Sequence, residues 1–530
     1  MTGPLDQVTV AMDRILKLCP DLGLQVSFPK SSIFWPSPHA PPPPLVTSFS
    51  SDSGIALRTG ALPLLGSCVG LDADLLTAFA DEKPPTHQPL FDALQQKGFP
   101  VQHALLILRQ SALPRMNFLT RTLPPTYTLQ ACIDFDKRIL QTALRLLQID
   151  PVQLSQVAST LLRLPLRSGG LGLRSTASVA PAAYLASIAA SAHSIASVPR
   201  PRGPALHSAS LLEHLKFSFG RLEVKNQNPN LAVKLPTPSR FLPHFLKQSP
   251  QHLQRTITTQ LDKRLLSSLH DLQSPKLTAH LTSLAQRSAS LWLSTIPSRP
   301  EFVLHNDHFR LAARLRLSLP PCSGPPNSCA CGRSPLPVDH FLCCKLFRRR
   351  AVTDRHDSIA NFLHHFLLDS GVVSELEPSA SRRQTWDRRL RPDLRVYLDQ
   401  KLLLDVSIAH ASADSSVTVA KRALGVASQR EAQKSKKYHT LAQTEEAVFH
   451  PFVWESTGAV GKSASGVLDL ISNFPLKQEF CDASPKATKA FLSRSLAILI
   501  QRGNARILQQ GLDQSRRVLG PAPSDGSTSL

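Results

Sequence analysis

Apolar positions recur at helical spacing from the start of the chain. Leu5, Val8, Met12, Ile15 and Leu16 share one face, which predicts a helix over 5–19. "LGLQVSFPKSSIFW" follows and reads as two strands about a turn at Pro29-Lys30. Residues 36–54, "PSPHAPPPPLVTSFSSDSG", read as a low-complexity loop, and "LPLLGSCVG" (62–70) as one short strand closed by glycine. From about 86 to 165 the period turns helical. The Pro-, Ser- and Arg-rich stretch 196–245 reads as a linker, and helices resume at about 249–295 and 304–318. "RRRAVTDRHDSIANFLHHFLLDSG" is expected to be one helix ending at Gly371. Beyond it, apolar runs predict strands at 394–398, 402–408 and 448–455, with a helix over about 418–443. The last ten residues, "PAPSDGSTSL", are expected to be disordered.

Composition narrows the class. A chain of 530 residues has room for several domains, and its 44 prolines break it into short packed pieces. The formal charge of +22 points to a polyanionic partner, since excess cationic charge raises encounter rates with nucleic acid. The opening twenty residues carry Asp6 and Asp13 and no continuous apolar core, so they do not read as a secretory signal. The Ala/Ser-rich segment 175–199 contains Pro181 and His193 and is too weakly apolar for hydrocarbon; it reads as closely packed helix.

Five of the nine cysteines fall between Cys322 and Cys344, which suggests metal binding in a reducing compartment. In "CACGRSPLPVDHFLCC" a tight pair, Cys329 and Cys331, precedes His340 and Cys344. Gly332 lets the chain fold back, and His340 and Cys344 lie one helical turn apart, so the four donors suit a tetrahedral Zn²⁺ site. Cys343 competes with Cys344 but is less well aimed from a helix.

The second candidate is a pair of acids. Asp393 follows a proline, and Asp405 ends the run Leu402-Leu403-Leu404. Metal-dependent nucleases hold a divalent ion between two such carboxylates on adjacent strands, with a lysine to position the attacking water. The lysine position two beyond the second acid is Ser407 here, but "REAQKSKKYHTL" offers Lys434, Lys436 and Lys437. Glu375 and Glu377 offer a third acid, and Arg382, Arg383, Arg388, Arg389 and Arg391 offer phosphate contacts.

Taken in order, several motifs resemble one family: Cys-x-Cys-Gly, His-x-x-x-Cys, Arg355-His356-Asp357, Glu377-Pro378, Arg391-Pro392-Asp393, Leu404-Asp405-Val406-Ser407, Lys437-Tyr438 and "PFVWESTGAVG". It is the C-terminal region of non-LTR retrotransposon proteins that carry a restriction-enzyme-like endonuclease. Upstream, "GLQVSFPKSSIF", "LPLLGSCVG", "LPRMNFLTRTLPP" and "LPLRSGGLGLRSTASVAPAAYLAS" look like reverse-transcriptase segments after the active-site hairpin.

The resemblance implies an α+β multidomain protein. Its expected parts are a truncated reverse transcriptase palm (1–70), a helical thumb and following region (71–195), a basic and helical linker (196–320) and a CCHC zinc knuckle (321–345). A small α/β restriction-endonuclease-like domain (346–480) and a helical and disordered tail (481–530) complete it. Asp393 and Asp405 become Mg²⁺ ligands, Lys437 the catalytic lysine with Lys434 as substitute, and Glu377 the accessory acid. The sequence has no Asp-Asp pair, so no polymerase activity is expected. The expected partners are DNA and element RNA, with no membrane and no small-molecule substrate, and the expected location is the nucleus. The rival reading is a non-catalytic nucleic-acid-binding protein with a decayed nuclease.

Overall fold

A computed structural model describes residues 3, 5–36, 40–197, 206–222, 234–248, 251–322, 327–347, 350–379, 390–477 and 484–519. The fold is mixed α+β, mostly helical with small sheets. The chain divides into two compact units. One comprises Met1–Pro89, Arg115–Lys137 and Thr176–Thr258; the other comprises Leu90–Pro114, Arg138–Ser175 and Thr259–Leu530.

In the first unit the opening helix spans Leu5–Leu18. The expected strand before Pro29 is absent: Phe28–Lys30 is a 3₁₀ turn, and Ser32–Trp35 pairs in parallel with Ala56–Thr59 instead. The expected loop at 36–54 contains a helix, Pro44–Ser53. Proline tolerates the first helical turn because it has no amide to leave unpaired, and Gly54 at φ 68° closes the helix in the left-handed region. The run 62–70 is a hairpin rather than one strand: Ala61–Leu64 pairs antiparallel with Ser67–Gly70. Its two-residue turn puts Leu65 and Gly66 at φ 50° and 83°, the conformation that matches strand twist. Thr176–Ala190 is the closely packed helix its small residues predict, with Ala180, Ala182, Ala183 and Leu185 buried. The stretch read as a linker contains helices Leu206–Leu222 and Phe241–Lys247, and Phe241 is fully buried. Among the described residues no helix is long and apolar enough to cross a membrane.

The second unit carries both candidate sites. Helix α1 (Ala351–Asp369) leads to strands β1 (Ser374–Leu376), β2 (Leu394–Tyr397) and β3 (Lys401–Ala409). Helix α2 (Gly425–Thr444), strand β4 (Val448–Glu455), helix α3 (Lys462–Asn473) and helix α4 (Pro485–Leu519) follow. The strands run in the order β1-β2-β3-β4; the first two pairings are antiparallel and β3–β4 is parallel. A parallel pair needs a long crossover, which α2 supplies. Alternation along β3 sends Leu402, Leu404 and Val406 into a core with Leu363, Phe452, Trp454, Leu492 and Leu496. Leu403 points to the opposite face, onto Tyr438 and Leu441 of α2. The sheet is therefore covered on both faces, which explains why β3 reads as a continuous apolar run.

The segment expected as a tail is largely core. Helix α4 has 35 residues, and Leu492, Leu496, Ala497, Ile498, Ile500, Ala505 and Ile507 are fully buried. The last ten residues lie outside the described ones. Two glycines set how closely α4 is approached. A Cβ at Gly503 would overlap the Arg355 side chain, and one at Gly511 would stand 2.5 Å from a ring carbon of Phe341.

Deep in this unit Arg316 is buried with no carboxylate partner among the described residues. It donates to the carbonyls of Gly170 (3.2 Å), Ala289 (2.9 Å) and Leu166 (3.2 Å), and burial lowers its pKa to about 9. Carbonyl dipoles thus satisfy its donors and pin the glycine-rich loop at 164–173.

Two outcomes are expected. Gly511→Val should destabilise the chain by about 1–3 kcal/mol through overpacking, read as a lower melting temperature, whereas Gly466→Ala inside α3, where a Cβ meets nothing within 4 Å, should stabilise it by about 0.5–1 kcal/mol through helix propensity. The second concerns His280, which donates to the Arg316 carbonyl at 3.1 Å and which burial holds near pKa 4. A base whose pKa is lowered on folding binds fewer protons when folded. Its contribution is intact above about pH 6.5 and declines as pH falls toward 4, by an order of 3 kcal/mol at most. Thermal melts of His280→Gln should show a shallower acid decline than wild type across that window.

Candidate functional site

The cysteine cluster is built by a tight turn facing a short helix. Gly332 takes φ 86°, its amide donates to the Cys329 carbonyl at 2.9 Å, and the Cys329 amide donates to the Arg333 carbonyl at 2.9 Å. The helix His340–Cys343 and the residue after it present His340 and Cys344. One donor atom from each of Cys329, Cys331, His340 and Cys344 lies within 4.8 Å of all the others. Cys329 Sγ and Cys344 Sγ are 3.8 Å apart, and Cys331 Sγ is 3.3 Å from His340 Nε2. Bonds of about 2.3 Å in a tetrahedron separate two sulfurs by about 3.8 Å, so this Cys₃His set could hold a metal ion and is consistent with zinc. Cys343 is not in the group.

Helix α4 supports the turn. Ser515 Oγ accepts the Ala330 amide at 3.3 Å, and Phe341 packs against Gly511. Burial raises the Cys329 thiol to about 12 and lowers His340, which favours a neutral imidazole. Thiolate ligation must overcome that thiol pKa, so metal uptake releases protons. Purified full-length protein is expected to carry about one ion per chain. Cys329→Ser with Cys331→Ser should lose it and melt at lower temperature, as read by elemental analysis and thermal denaturation.

The two aspartates stand opposite each other across β2 and β3. Leu394 pairs with Leu404, the Asp393 amide donates to the Leu404 carbonyl at 2.9 Å, and one carboxylate oxygen of Asp393 accepts the Val406 amide at 2.6 Å. Directly opposed residues project from the same face of a sheet. Asp405 is 4% exposed, which makes its carboxylate the more costly of the two to leave uncompensated. Lys434 Nζ lies 2.5 Å from Asp405 Oδ2 as an ion pair, although that oxygen accepts no aligned hydrogen bond.

His356, from α1, places Nε2 3.1 Å from Asp393 Oδ2 and Nδ1 3.0 Å from Asp357. Burial disfavours its charged form, but the hydrogen bonds and negative charges of Asp393 and Asp357 outweigh this and raise it to about 9. Tyr438 donates to the Arg391 carbonyl at 3.0 Å; burial first, then hydrogen bonding and negative charge from Asp405 and the charge of Asp393, raise its hydroxyl pKa.

The other expected residues are distributed differently. Lys437 Nζ lies 3.4 Å from the Tyr438 hydroxyl and over that ring, whereas Lys434, one turn earlier on α2, meets Asp405. Glu377 is exposed, sits at φ 42° and is bound to Arg391 through an ion pair of 3.2 Å. Glu375 is held by Arg395 at 2.7 Å and Tyr397 at 3.1 Å. Arg382, Arg383, Arg388 and Arg389 lie outside the described residues. Sequence reasoning gave His356 and Tyr438 no role; the signal available was their place in the Arg-His-Asp and Lys-Tyr motifs.

The motif "PFVWESTGAVG" proves to be a structural tie. The Ser456 carbonyl accepts Gln501 at 3.2 Å and Asn504 at 2.7 Å, and Asn504 in turn accepts Arg355 at 2.6 Å. Glu455 is buried and takes the Ser283 hydroxyl and the Ala427 amide, the latter at 3.4 Å. Compared with known protein families and with curated proteins, the chain finds no match in either.

Proposed function

We propose that this chain is a metal-dependent DNA endonuclease derived from a non-LTR retrotransposon protein, with a zinc knuckle beside its nuclease domain. The observation that carries the reading is the opposition of Asp393, just before β2, to Asp405 on β3, with Lys434 2.5 Å from the second acid. The order helix, three antiparallel strands, crossover helix and parallel strand supports it, because it brings one helix lysine to the strand that carries Asp405. The zinc assignment rests on three thiols and an imidazole at tetrahedral separations.

The residues divide the work. Asp393 and Asp405 would hold a Mg²⁺ ion between their carboxylates, with Lys434 beside one Asp405 oxygen. When bound, the ion offsets charge on the attacked phosphate and the leaving oxygen. The Val406 amide and His356 Nε2 both meet one oxygen of Asp393 and so orient its carboxylate. Lys434 is the better placed lysine to position a water, in preference to Lys437. Tyr438 fixes the backbone at Arg391 and so the strand that carries Asp393. The palm and thumb readings of 1–195, the nuclear location and any element RNA partner belong to the same proposal.

A second reading, a DNA-binding protein with a decayed nuclease, is favoured by Ser407 where the family pattern has lysine. Nicking of supercoiled plasmid by full-length protein in Mg²⁺ separates the two. Asp393→Ala should abolish nicking with DNA affinity unchanged or tighter, since one negative charge is removed. Lys434→Ala should slow nicking by about 10²-fold or more and Lys437→Ala much less. Equal cleavage by wild type and Asp393→Ala would leave the binding protein as the better account.

A further inference from the structure

The loop 297–305 and one face of α4 enclose an open pocket of about 590 Å³, lined by Ser298, Arg299, Val303, His305, Arg502 and Arg506 with two prolines. Arg502 and Arg506 are four apart on one helix face, so their side chains are neighbours. Asn504, which meets Arg355 of α1, lies on the opposite side of the helix. None of Asp393, Asp405, Lys434 and His356 lines the pocket.

Its charge is one-sided. No acidic residue lines it, and among the described residues Arg299, Arg502 and Arg506 form no ion pair. Of the acids nearest in sequence, Glu301 is exposed on the same loop but does not line the pocket, and Asp307 is engaged by Arg310 at 3.1 Å. Arg502 is fixed by donating to the Val303 carbonyl at 2.8 Å, yet its buried Nε has no acceptor among the described residues. Arg299, an exposed residue, places its guanidinium over the Phe491 ring at 5.7 Å. His308 is a neighbour of His305, with ring centroids 6.1 Å apart, and its buried Nδ1 has no partner among the described residues. Burial first, then the positive charges of Arg506, His305 and Arg502, hold His308 below its usual pKa. Gathered cations with spare donors and no carboxylate cost free energy unless an anion completes them.

We propose that this pocket binds a backbone phosphate of DNA, a second contact apart from the carboxylates. The choice of DNA as the phosphate's source rests on the nuclease reading and on the net charge of +22. Arg299, His305 and Arg506 are exposed, so a strand can enter without opening the fold, while Arg502 supplies a fixed donor at the base.

The test uses full-length protein and short duplex DNA without divalent metal, titrated across about 50 to 200 mM salt. Arg299→Gln with Arg506→Gln changes only exposed side chains. Loss of one phosphate contact should weaken binding several-fold at low salt and reduce the log–log salt slope by about 0.9. Lys97→Gln with Lys263→Gln, an equal change of charge at other exposed positions, should leave the slope unaltered. A wild-type slope in the arginine variant overturns the proposal. Stabilisation of wild type but not the variant by millimolar inorganic phosphate, with DNA binding unchanged, would assign the pocket to free phosphate and also overturn it. Nicking distinguishes the two readings. A slope change in a protein that never nicks DNA supports the pocket and removes the nuclease; a wild-type slope with Asp393-dependent nicking does the reverse.

Discussion

The close passage of α4 is the constraint on which the second unit depends. One helix of 35 residues contributes Leu492, Leu496 and Ile500 to the core beneath the sheet and Ala505, Ile507, Leu508 and Leu512 to the core beside the cysteine cluster. Helices approach to their closest distance only where side chains are absent. Gly503 admits Arg355 and Gly511 admits Phe341. Phe341 adjoins His340, and Arg355 adjoins His356, so each glycine sets the position of a residue next to a candidate functional group. The same helix also carries Arg502 and Arg506.

Polar groups tie these parts together where apolar packing cannot. His410 bonds Ser456 at 2.7 Å and Asp339 at 2.8 Å, linking the end of β3, the β4 turn and the residue before His340. The Ser456 carbonyl then reaches α4 through Gln501 and Asn504. Buried polar groups of this kind are costly unless every member is satisfied, and here the partners come from distant parts of the chain. Arg316 follows the same rule with three carbonyls.

Electrostatics separates the two candidate regions. A chain of +22 places its opposed Asp393 and Asp405 where strand register leaves them no way to part. Lys434 and His356 answer that charge in the folded chain. The arginines of the 297–305 pocket meet no such answer among the described residues. Opposite imbalances in one unit suit a polyanion held at one place and attacked at another.

The sequence by itself determined the local features whose cause is local. The strands at β2, β3 and β4 and the end of α1 near Gly371 follow from apolar runs and a left-handed glycine. The four cysteine and histidine donors sit within sixteen residues, so one turn and one short helix bring them together. Other elements were illegible because their signals were weak or mixed. The helix after Pro43 hid in a proline run, the 62–70 hairpin carries Leu rather than Asn at its turn, and α4 mixes buried apolar and polar residues around its whole circumference. Only the tertiary structure decided which lysine of α2 meets Asp405, that His356 meets Asp393, and that "ESTGAVG" is a tie. Those facts depend on how a helix is rotated and crossed against a sheet. Lys434 and Lys437 share nearly the same helix face, and a single turn of translation, set by packing far from either residue, separates the one that reaches the acid from the one that does not.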